Sequence, residues 1–210
     1  DQITLKKDEY VLDIGCNDGT LLNHYPENLY NLIGIDPVAK KYLERYPKDA
    51  KVVTEFFSKE SYFSVASNKA KIVTSISMFY DLEDPVGFAK SIASVLAEDG
   101  VWVFEQSYLP AMLRTNSYDT ICQEHVEYYS LASIQYILQQ AGMAIVDASQ
   151  NEVNGGSIRL AAVHKDSVLA GKISPEASWL IEQEKTHDIF SNQPWEDFQK
   201  NVDRQKLDLV

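Results

Sequence analysis

Cysteine and positive charge are both scarce in this chain. Its only cysteines, Cys16 and Cys122, lie far apart in the 210 residues and offer neither a disulfide framework nor a four-thiolate zinc site. We therefore expect a reducing, cytoplasmic environment and no metal. The chain has 19 lysines and arginines against 31 aspartates and glutamates, and the basic residues do not cluster. A nucleic-acid partner is not expected, because the net charge of −12 would repel a phosphate backbone.

Long apolar runs and a secretion signal are missing as well. The apolar runs have the length of strands, and the opening DQITLKKDEY does not resemble a basic and then apolar leader. We therefore expect neither a membrane partner nor a secreted protein. With 45% hydrophobic residues the chain can bury a core, and its length predicts one domain with part of a second.

Apolar, β-branched segments recur at intervals of roughly 20 to 25 residues, which is typical of βαβ units. They are YVLDIG (10–15), LIGIDP (32–37), KVVTEFF (51–57), KIVTSISMF (71–79) and GVWVFEQ (100–106). Their continuous hydrophobicity indicates burial on both faces, as in a parallel sheet covered by helices. MAIVDASQNEV (143–153) and SIRLAAVHK (157–165) indicate two more strands, as an antiparallel pair around a tight turn. The order of segments therefore predicts an α/β fold.

Helical spacing is found between the strand segments. VAKKYLERYP (38–47) and DPVGFAKSIASVLAEDG (84–100) both show it. In the second segment, Asp84 is the expected N-cap, Pro85 lies in the first turn and Gly100 is the expected stop.

SLASIQYILQQAG (130–142) has the same arrangement of serine cap, apolar stripe and terminal glycine. Beyond Ser167 the pattern predicts one or two acidic, amphipathic helices that lead to a further region or a partner. We therefore predict a sheet domain over residues 1–166 and a helical extension or linker over residues 167–210.

Glycines follow the first predicted strand, in VLDIGCNDG. Gly15 and Gly19 allow the backbone to approach a ligand closely, although a glycine pair can also simply turn a strand into a helix. A dinucleotide fingerprint would have glycine where this chain has Asn17 and Thr20, so a nicotinamide cofactor is disfavoured. Asp36 ends the second strand, where a carboxylate can accept both ribose hydroxyls of an adenosine.

Asp13, Gly15, Gly19 and Asp36 together resemble the glycine loop and second-strand acid of the class I S-adenosylmethionine-dependent methyltransferases. The resemblance spans roughly residues 10–165. It implies a Rossmann-like, seven-stranded sheet, mostly parallel with an antiparallel terminal hairpin and helices on both faces, and it implies S-adenosylmethionine as the cofactor. The cofactor-binding residues that we predict are Asp13, Gly15, Cys16, Asn17, Gly19, Asp36, Phe56, Phe57, Ser77 and Met78.

Some of these candidates have an alternative interpretation. Phe56 and Phe57 follow the third strand and are placed to sandwich an adenine, but ordinary core packing explains them equally well. Ser77, Met78 and Tyr80 end the fourth strand, at the edge where open α/β sheets bind ligands. Tyr80 is a candidate catalytic residue or a residue of the loop.

The segment SYDTICQEHVEYYSL (117–131) lies beyond the fifth strand, on the same rim as the glycine loop, and is expected to form an active-site wall. EQSYLP, NSYDTICQEHVEYYSL and NGGSIR resemble the sugar C-methyltransferases of deoxysugar biosynthesis. That family has an N-terminal zinc-binding module, a central cofactor domain and a C-terminal domain. We expect this chain to be either an excised central domain or a naturally shortened relative, without the zinc module and with the C-terminal domain at most begun.

This resemblance implies that Glu124 and His125 act at the substrate, with His125 as the base, although a histidine in such a loop is often structural. Where the family pattern has tyrosine and histidine, this chain has Cys122 and Gln123. A neighbouring tyrosine, Tyr128 or Tyr129, is therefore a candidate to replace the missing phenol. The predicted catalytic residues are His125, Glu124, Tyr128 and Tyr80, and the predicted substrate-binding residues are Tyr108, Asn154, Gly155 and Arg159, with Arg114 as a further cation.

The predicted function is C-methylation of a keto-sugar or related small molecule, with a nucleotide-linked sugar as a candidate substrate and flanking domains as candidate partners. Carbon must lose a proton next to a carbonyl before it attacks a sulfonium methyl, and an imidazole suits that step. Two alternatives remain. One is O- or N-methylation of a small metabolite, and the other is a cofactor-binding module without activity in a multidomain enzyme.

Overall fold

A seven-stranded sheet forms the centre of the computed structural model, which describes residues 4–208. Its strands are β1 (Tyr10–Ile14), β2 (Asn31–Ile35), β3 (Lys51–Val53), β4 (Ala70–Ile76), β5 (Leu96–Ser107), β6 (Met143–Asn151) and β7 (Ser157–His164). They are ordered β3-β2-β1-β4-β5-β7-β6, and β7 runs antiparallel to both of its neighbours while the other pairs are parallel. The sheet confirms the predicted fold class. The outer limits of the two predicted domains, residues 1 and 210, lie outside the described residues.

Helices connect and cover the strands. Their bounds are α1 (Lys59–Phe63), α2 (Pro85–Val95), α3 (Leu109–Thr115), α4 (Leu131–Gln140), α5 (Pro175–Thr186) and α6 (Gln193–Asp208). Successive residues of β1 point into different core clusters, with Leu12 in the larger cluster and Val11 in a smaller one. Both faces of the sheet are therefore buried. Among residues 4–208, no helix has the length and apolar composition needed to cross a membrane.

The helices α2 and α4 begin where the sequence predicts. The Asp84 carboxylate accepts a hydrogen bond from the Gly87 N–H at 2.8 Å, and Pro85 occupies the first turn. At α4, the Ser130 hydroxyl accepts the Ser133 N–H at 3.1 Å and the Ser133 hydroxyl accepts the Ser130 N–H at 3.0 Å. These caps satisfy backbone donors that a helix N-terminus leaves free.

The predicted ends that differ most from the structure are those of α2 and β3. Gly100 does not stop α2, because the fully buried Leu96 is already extended and begins β5, in which Gly100 lies. The third strand ends at Val53 and is shorter than predicted. Ser58 caps α1 by accepting the Ser61 N–H at 3.0 Å, so the chain has turned out of the sheet before that point.

The predicted α-helix after β2 is also wrong. The chain forms two short 3₁₀ helices there, Pro37–Lys41 and Leu43–Arg45. Tyr46 then packs its ring against Gly19 in the loop after β1. Short helices are marginal without tertiary support, and here the tertiary contact favours a tighter path.

The C-terminal helices dock on the sheet domain. α5 contacts β6 and α4, where it buries Ala177 and Leu180, and α6 contacts α3 and buries most of Phe198. The extension predicted for residues 167–210 is therefore packed against the rest of the chain. Its predicted boundary stays a prediction.

Candidate active site

The carboxyl ends of β1 and β4 lie side by side at the point where the strand order reverses. β1 pairs with β2 on one side and with β4 on the other. In open α/β sheets, ligands bind in the crevice outside this point. The turns that follow β1, β2, β4 and β5 form the rim of the candidate site.

The loop after β1 approaches the turn after β4 closely. Gly15 and Gly19 have φ angles of +70° and +79°, a region that favours glycine. A Cβ added at Gly15 would lie 3.3 Å from Met78 Cγ, and one added at Gly19 would lie 2.8 Å from Tyr46 Cδ1. The backbone conformation favours glycine at both positions. The Tyr46 ring also excludes a Cβ at Gly19, whereas at Gly15 the Met78 side chain would have to move slightly.

The loop is joined to the end of β2 through Asp36. One carboxylate oxygen, Oδ2, accepts the Asn17 N–H at 2.8 Å, and the other, Oδ1, accepts the Val38 N–H at 2.7 Å. The side chain is buried. A carboxylate has about four acceptor positions, so about two remain for a ligand. The structure thus brings together two residues, Asn17 and Asp36, that the sequence predicts as cofactor-binding.

Asp13, another predicted cofactor residue, lies buried within β1. Its Oδ1 accepts a hydrogen bond from the Thr74 hydroxyl at 2.6 Å. Burial, together with the nearby charge of Asp36, raises the pKa of Asp13 to about 6, although the hydrogen bond from Thr74 acts to lower it. This carboxyl therefore titrates about two pH units above an exposed aspartate.

Tyr46 is a site residue that the sequence analysis missed. Its hydroxyl donates to the Asn17 carbonyl at 2.6 Å and lies 3.1 Å from Cys16 Sγ. Burial raises the pKa of the predicted cofactor residue Cys16 to about 12, so the thiol stays protonated. No spacing rule connects Tyr46 to the glycine loop, because only the packing brings them together.

The two phenylalanines after β3 lie in different environments. Phe57 packs edge-on against Phe88, with ring centroids 5.4 Å apart, whereas Phe56 is 83% exposed. The adenine sandwich stays a prediction.

The turn after β4 connects the glycine loop with the segment that carries His125. Ser77, at φ +54°, donates its N–H to the Glu105 carbonyl at 2.8 Å, which fixes the start of this turn. The Met78 side chain lies close to Gly15, since its Cγ is 3.3 Å from the position that a Cβ at Gly15 would take. Two residues further on, the Tyr80 ring lies 4.3 Å from the His125 ring, centroid to centroid.

Thr120 holds both His125 and Tyr128. The His125 Nδ1 lies 2.9 Å from the Thr120 carbonyl oxygen, and the Tyr128 hydroxyl donates to the same oxygen at 3.4 Å. Because a carbonyl oxygen only accepts, Nδ1 carries the proton in this contact. The Nε2 of the neutral ring is then left as an acceptor.

Two acidic residues, Asp81 and Glu124, belong to the electrostatic environment of His125. Desolvation raises the pKa of Asp81, the positive charge that His125 carries when it is protonated lowers this pKa, and the charge of Glu124 raises it. Glu124 itself is exposed. The sequence analysis did not identify Asp81, since its relation to His125 depends on the fold.

The predicted substrate-binding residues are spread over the neighbouring elements. Tyr108 is buried, and its hydroxyl donates to Glu184 of α5 at 2.7 Å. Asn154 and Gly155 lie in the exposed turn between β6 and β7, where the Thr115 hydroxyl of α3 donates to the Gly155 carbonyl at 3.2 Å. Arg159 is exposed on β7. The turn therefore borders the start of the segment that carries His125.

A cavity of about 560 Å³ lies between α3, α5 and α6. Its lining includes Tyr108 and Arg114 together with Trp179 and Glu184, but not His125 or the glycine loop. The cavity is thus separate from the rim described above and adjoins it through Tyr108.

Two family models match the chain. Residues 2–148 match a methyltransferase domain, and residues 152–210 match a C-methyltransferase C-terminal domain. Among curated proteins, the C-methyltransferase NovU of Streptomyces niveus is similar, with 23% identity over 211 residues that cover 100% of this chain and 50% of NovU. The chain therefore spans half the length of this relative.

Solved structures share the fold at low identity. A SAM-dependent methyltransferase from Aquifex aeolicus aligns with a TM-score of 0.54 and 17% identity, covering 76% of this chain and 84% of that one. The LepI complex with SAM aligns with a TM-score of 0.59 and 13% identity, covering 75% of this chain and 43% of that one.

Proposed function

Since the chain belongs to the methyltransferase-domain family, whose methyl donor is S-adenosylmethionine, we propose that it methylates a carbon atom of a keto-sugar or related small molecule. The observation that carries this proposal is the turn after β4. Met78 contacts the glycine loop and Tyr80 contacts His125, so one turn holds a loop suited to the cofactor beside a candidate base. A C-methyltransferase needs both at one place.

The loop and its neighbours fit S-adenosylmethionine. Asp36 retains free acceptor positions for ribose hydroxyls, and the left-handed glycines leave the backbone of the loop open to close approach. Asp13, ionised above its pKa, adds a negative charge beneath the loop that suits the cationic amino-acid part of the molecule. When bound, the cofactor supplies an electrophilic methyl group for an enolate carbon.

In this proposal His125 removes the proton that makes the substrate carbon nucleophilic. The Thr120 carbonyl holds the proton on Nδ1, so Nε2 takes the proton from the carbon next to the carbonyl and the C–H electron pair passes into the enolate. General-base catalysis of this kind contributes about 10²–10⁴-fold. The negative charge of Asp81 favours the imidazolium that forms.

Hydrogen-bond donors near His125 would stabilise the enolate oxygen. The Tyr128 hydroxyl is a candidate, since its present contact with Thr120 is long, at 3.4 Å. Desolvation raises the pKa values of Tyr128 and Tyr80, which keeps both phenols protonated as donors. Glu124 is exposed and free to accept a substrate hydroxyl.

Transfer of the methyl group to carbon is supported by the second family match and by the similarity to NovU. The keto-sugar substrate is our own proposal. A nucleotide-linked sugar is our proposed form, with Arg114 or Arg159 as the cation for a diphosphate. A cytoplasmic location stays a prediction from the cysteine content.

Calorimetric titration tests the cofactor assignment. We expect S-adenosylmethionine, and not NAD, to bind, and Asp36→Ala to weaken binding by about 10- to 100-fold, as for the loss of hydrogen bonds to a charged group. Glu55→Ala, which changes an exposed acid after β3, is the matched control and should bind normally. Failure of the folded wild type to bind would contradict the assignment.

Proton exchange tests the chemistry. With nucleotide-linked keto-sugars in D₂O, the wild type should exchange the proton next to the carbonyl, and His125→Asn should lose exchange while still binding the cofactor. Methylation of oxygen or nitrogen without carbon exchange would support the O- or N-methyltransferase alternative. Binding without transfer to any acceptor would support the inactive module.

A further inference from the structure

The carboxylate of Glu184 is buried, and both of its oxygens accept hydrogen bonds. It is 3% exposed, although it belongs to α5 in the C-terminal part of the chain. Its Oε1 accepts the Tyr108 hydroxyl at 2.7 Å and the Leu131 N–H at 2.5 Å, and its Oε2 accepts the Ala132 N–H at 2.9 Å. A buried charge is tolerated only with such partners.

Glu184 completes the N-terminus of α4. The Ser130 hydroxyl accepts the Ser133 N–H. The capping box therefore leaves the first two N–H groups of the helix, those of Leu131 and Ala132, without a partner. Glu184 accepts both. The partial positive charge of the helix N-terminus favours the carboxylate at this position.

The three donors lie at the two ends of residues 108–131, the longer part of the chain between β5 and α4 that includes His125. Tyr108 directly follows β5, where the chain leaves the sheet, and Leu131 begins α4, where the chain returns to it. The Leu109 N–H donates to the Tyr129 carbonyl at 2.9 Å, which ties these ends to each other. One side chain from α5 therefore binds both ends of the segment from residue 108 to residue 131.

We propose that Glu184 is a positioning residue that holds residues 108–131, and His125 with them, on the rim of the site. The region that matches the C-methyltransferase C-terminal domain then takes part in building the active site. The functional meaning of this inference rests on the proposed role of His125. The positional claim is tested without methyl transfer.

Glu184→Gln is the test variant. An amide offers one acceptor oxygen where three donors face the carboxylate, so at least one backbone N–H loses its partner. Glu182→Gln is the matched control, because Glu182 is an exposed acid on the same helix and its carboxylate pairs with the exposed Lys185 at 3.5 Å. Both variants remove one negative charge from α5.

The readout is the rate at which diethyl pyrocarbonate modifies His125, resolved by mass spectrometry. His164 is an internal reference, since its Nε2 contacts the Leu96 carbonyl at 3.1 Å much as His125 contacts Thr120. In Glu184→Gln we expect modification of His125 to be roughly tenfold faster, because local opening follows the lost hydrogen bonds. Modification of His164 and the Kd for S-adenosylmethionine should stay within about twofold, and Glu182→Gln should match the wild type.

Two results would overturn the inference. One is an unchanged rate at His125 in a folded Glu184→Gln protein. The other is equal acceleration at His125 and His164, which would show that Glu184 only stabilises the fold. If Glu184→Gln does not fold, Tyr108→Phe takes its place, because it removes one donor and leaves the cap of α4 intact. The modification rates of His125 and His164 are then compared in that variant. A wild type that does not bind S-adenosylmethionine would contradict the proposed function while the histidine rates still decide this inference.

Discussion

Two side chains from outside the glycine loop form hydrogen bonds with the backbone N–H and carbonyl of Asn17. Asp36 accepts its N–H and Tyr46 donates to its carbonyl, so the left-handed conformation at Asn17 is braced from two sides. Non-glycine residues adopt this conformation at a cost, and the two hydrogen bonds offset it. The shape of the loop therefore depends on residues that follow β2.

Removal of the Tyr46 hydroxyl should loosen the loop. We expect Tyr46→Phe to weaken S-adenosylmethionine binding by about 2- to 10-fold, the usual effect of one hydrogen bond. Calorimetry measures the change. Tyr62→Phe is the control, because the buried Tyr62 hydroxyl likewise donates to a backbone carbonyl, that of Asn68 at 2.8 Å, away from the loop. Equal loss of affinity in both variants would contradict a specific role for Tyr46.

The buried carboxyl of Asp13 should make stability depend on pH. Its pKa is raised from 3.8 to about 6, so between these values the folded state binds more protons than the unfolded state. Its contribution to the free energy of unfolding is therefore present below pH 3.8 and is lost as pH rises through about 6, a change of roughly 3 kcal/mol.

Asp13→Asn should remove this dependence, since the amide keeps an acceptor for Thr74 and does not ionise. Urea unfolding at several values between about pH 4 and pH 7 compares the two proteins. We expect the wild type to lose stability relative to the variant as pH rises. Parallel curves would show that Asp13 does not titrate in this range.

At the scale of elements, the turns at the ends of β1 and β4 form the site because they touch. Gly15 and Gly142 offer a test, since both have φ +70°. A Cβ at Gly15 meets Met78 at 3.3 Å, whereas one at Gly142 meets nothing within 4 Å. Both alanine variants should lose about 1–2 kcal/mol of stability through backbone strain.

Only Gly15→Ala should also weaken S-adenosylmethionine binding, because only there does the added methyl group displace a neighbour at the rim. Calorimetry on the two variants, with unfolding in urea, separates strain from crowding. Equal affinities in Gly15→Ala and Gly142→Ala would show that the contact with Met78 does not shape the cofactor loop.

At the scale of the whole molecule, α5 completes the core that α4 and β6 begin. We expect a chain that ends at Asp166 to lose at least about 3 kcal/mol of stability, because Leu180 no longer covers the sheet and α4 loses two acceptors for its N–H groups. Urea unfolding followed by circular dichroism measures the loss. A chain that ends at Asn192 keeps α5 and should lose less. Full stability of the shorter chain would support the predicted boundary at residue 166.

Much of this architecture can be predicted from the sequence. The strands are visible because buried parallel strands are continuously apolar, and the capped starts of α2 and α4 are visible because Asp84 and Ser130 act on residues three positions away. The α-helix predicted before Tyr46 is wrong because a contact distant in sequence, between Tyr46 and Gly19, outweighs the local helical spacing.

The sequence by itself determines the local features of this protein: its strands, its caps, the glycine loop with Asp36, and the segment that carries His125. These depend on neighbours along the chain. Only the tertiary structure decides that Tyr46 braces the loop, that Met78 and Tyr80 link it to His125, and that Glu184 of α5 binds both ends of that segment. Such contacts follow from how strands order in the sheet and how helices pack on it, and no spacing along the chain encodes them.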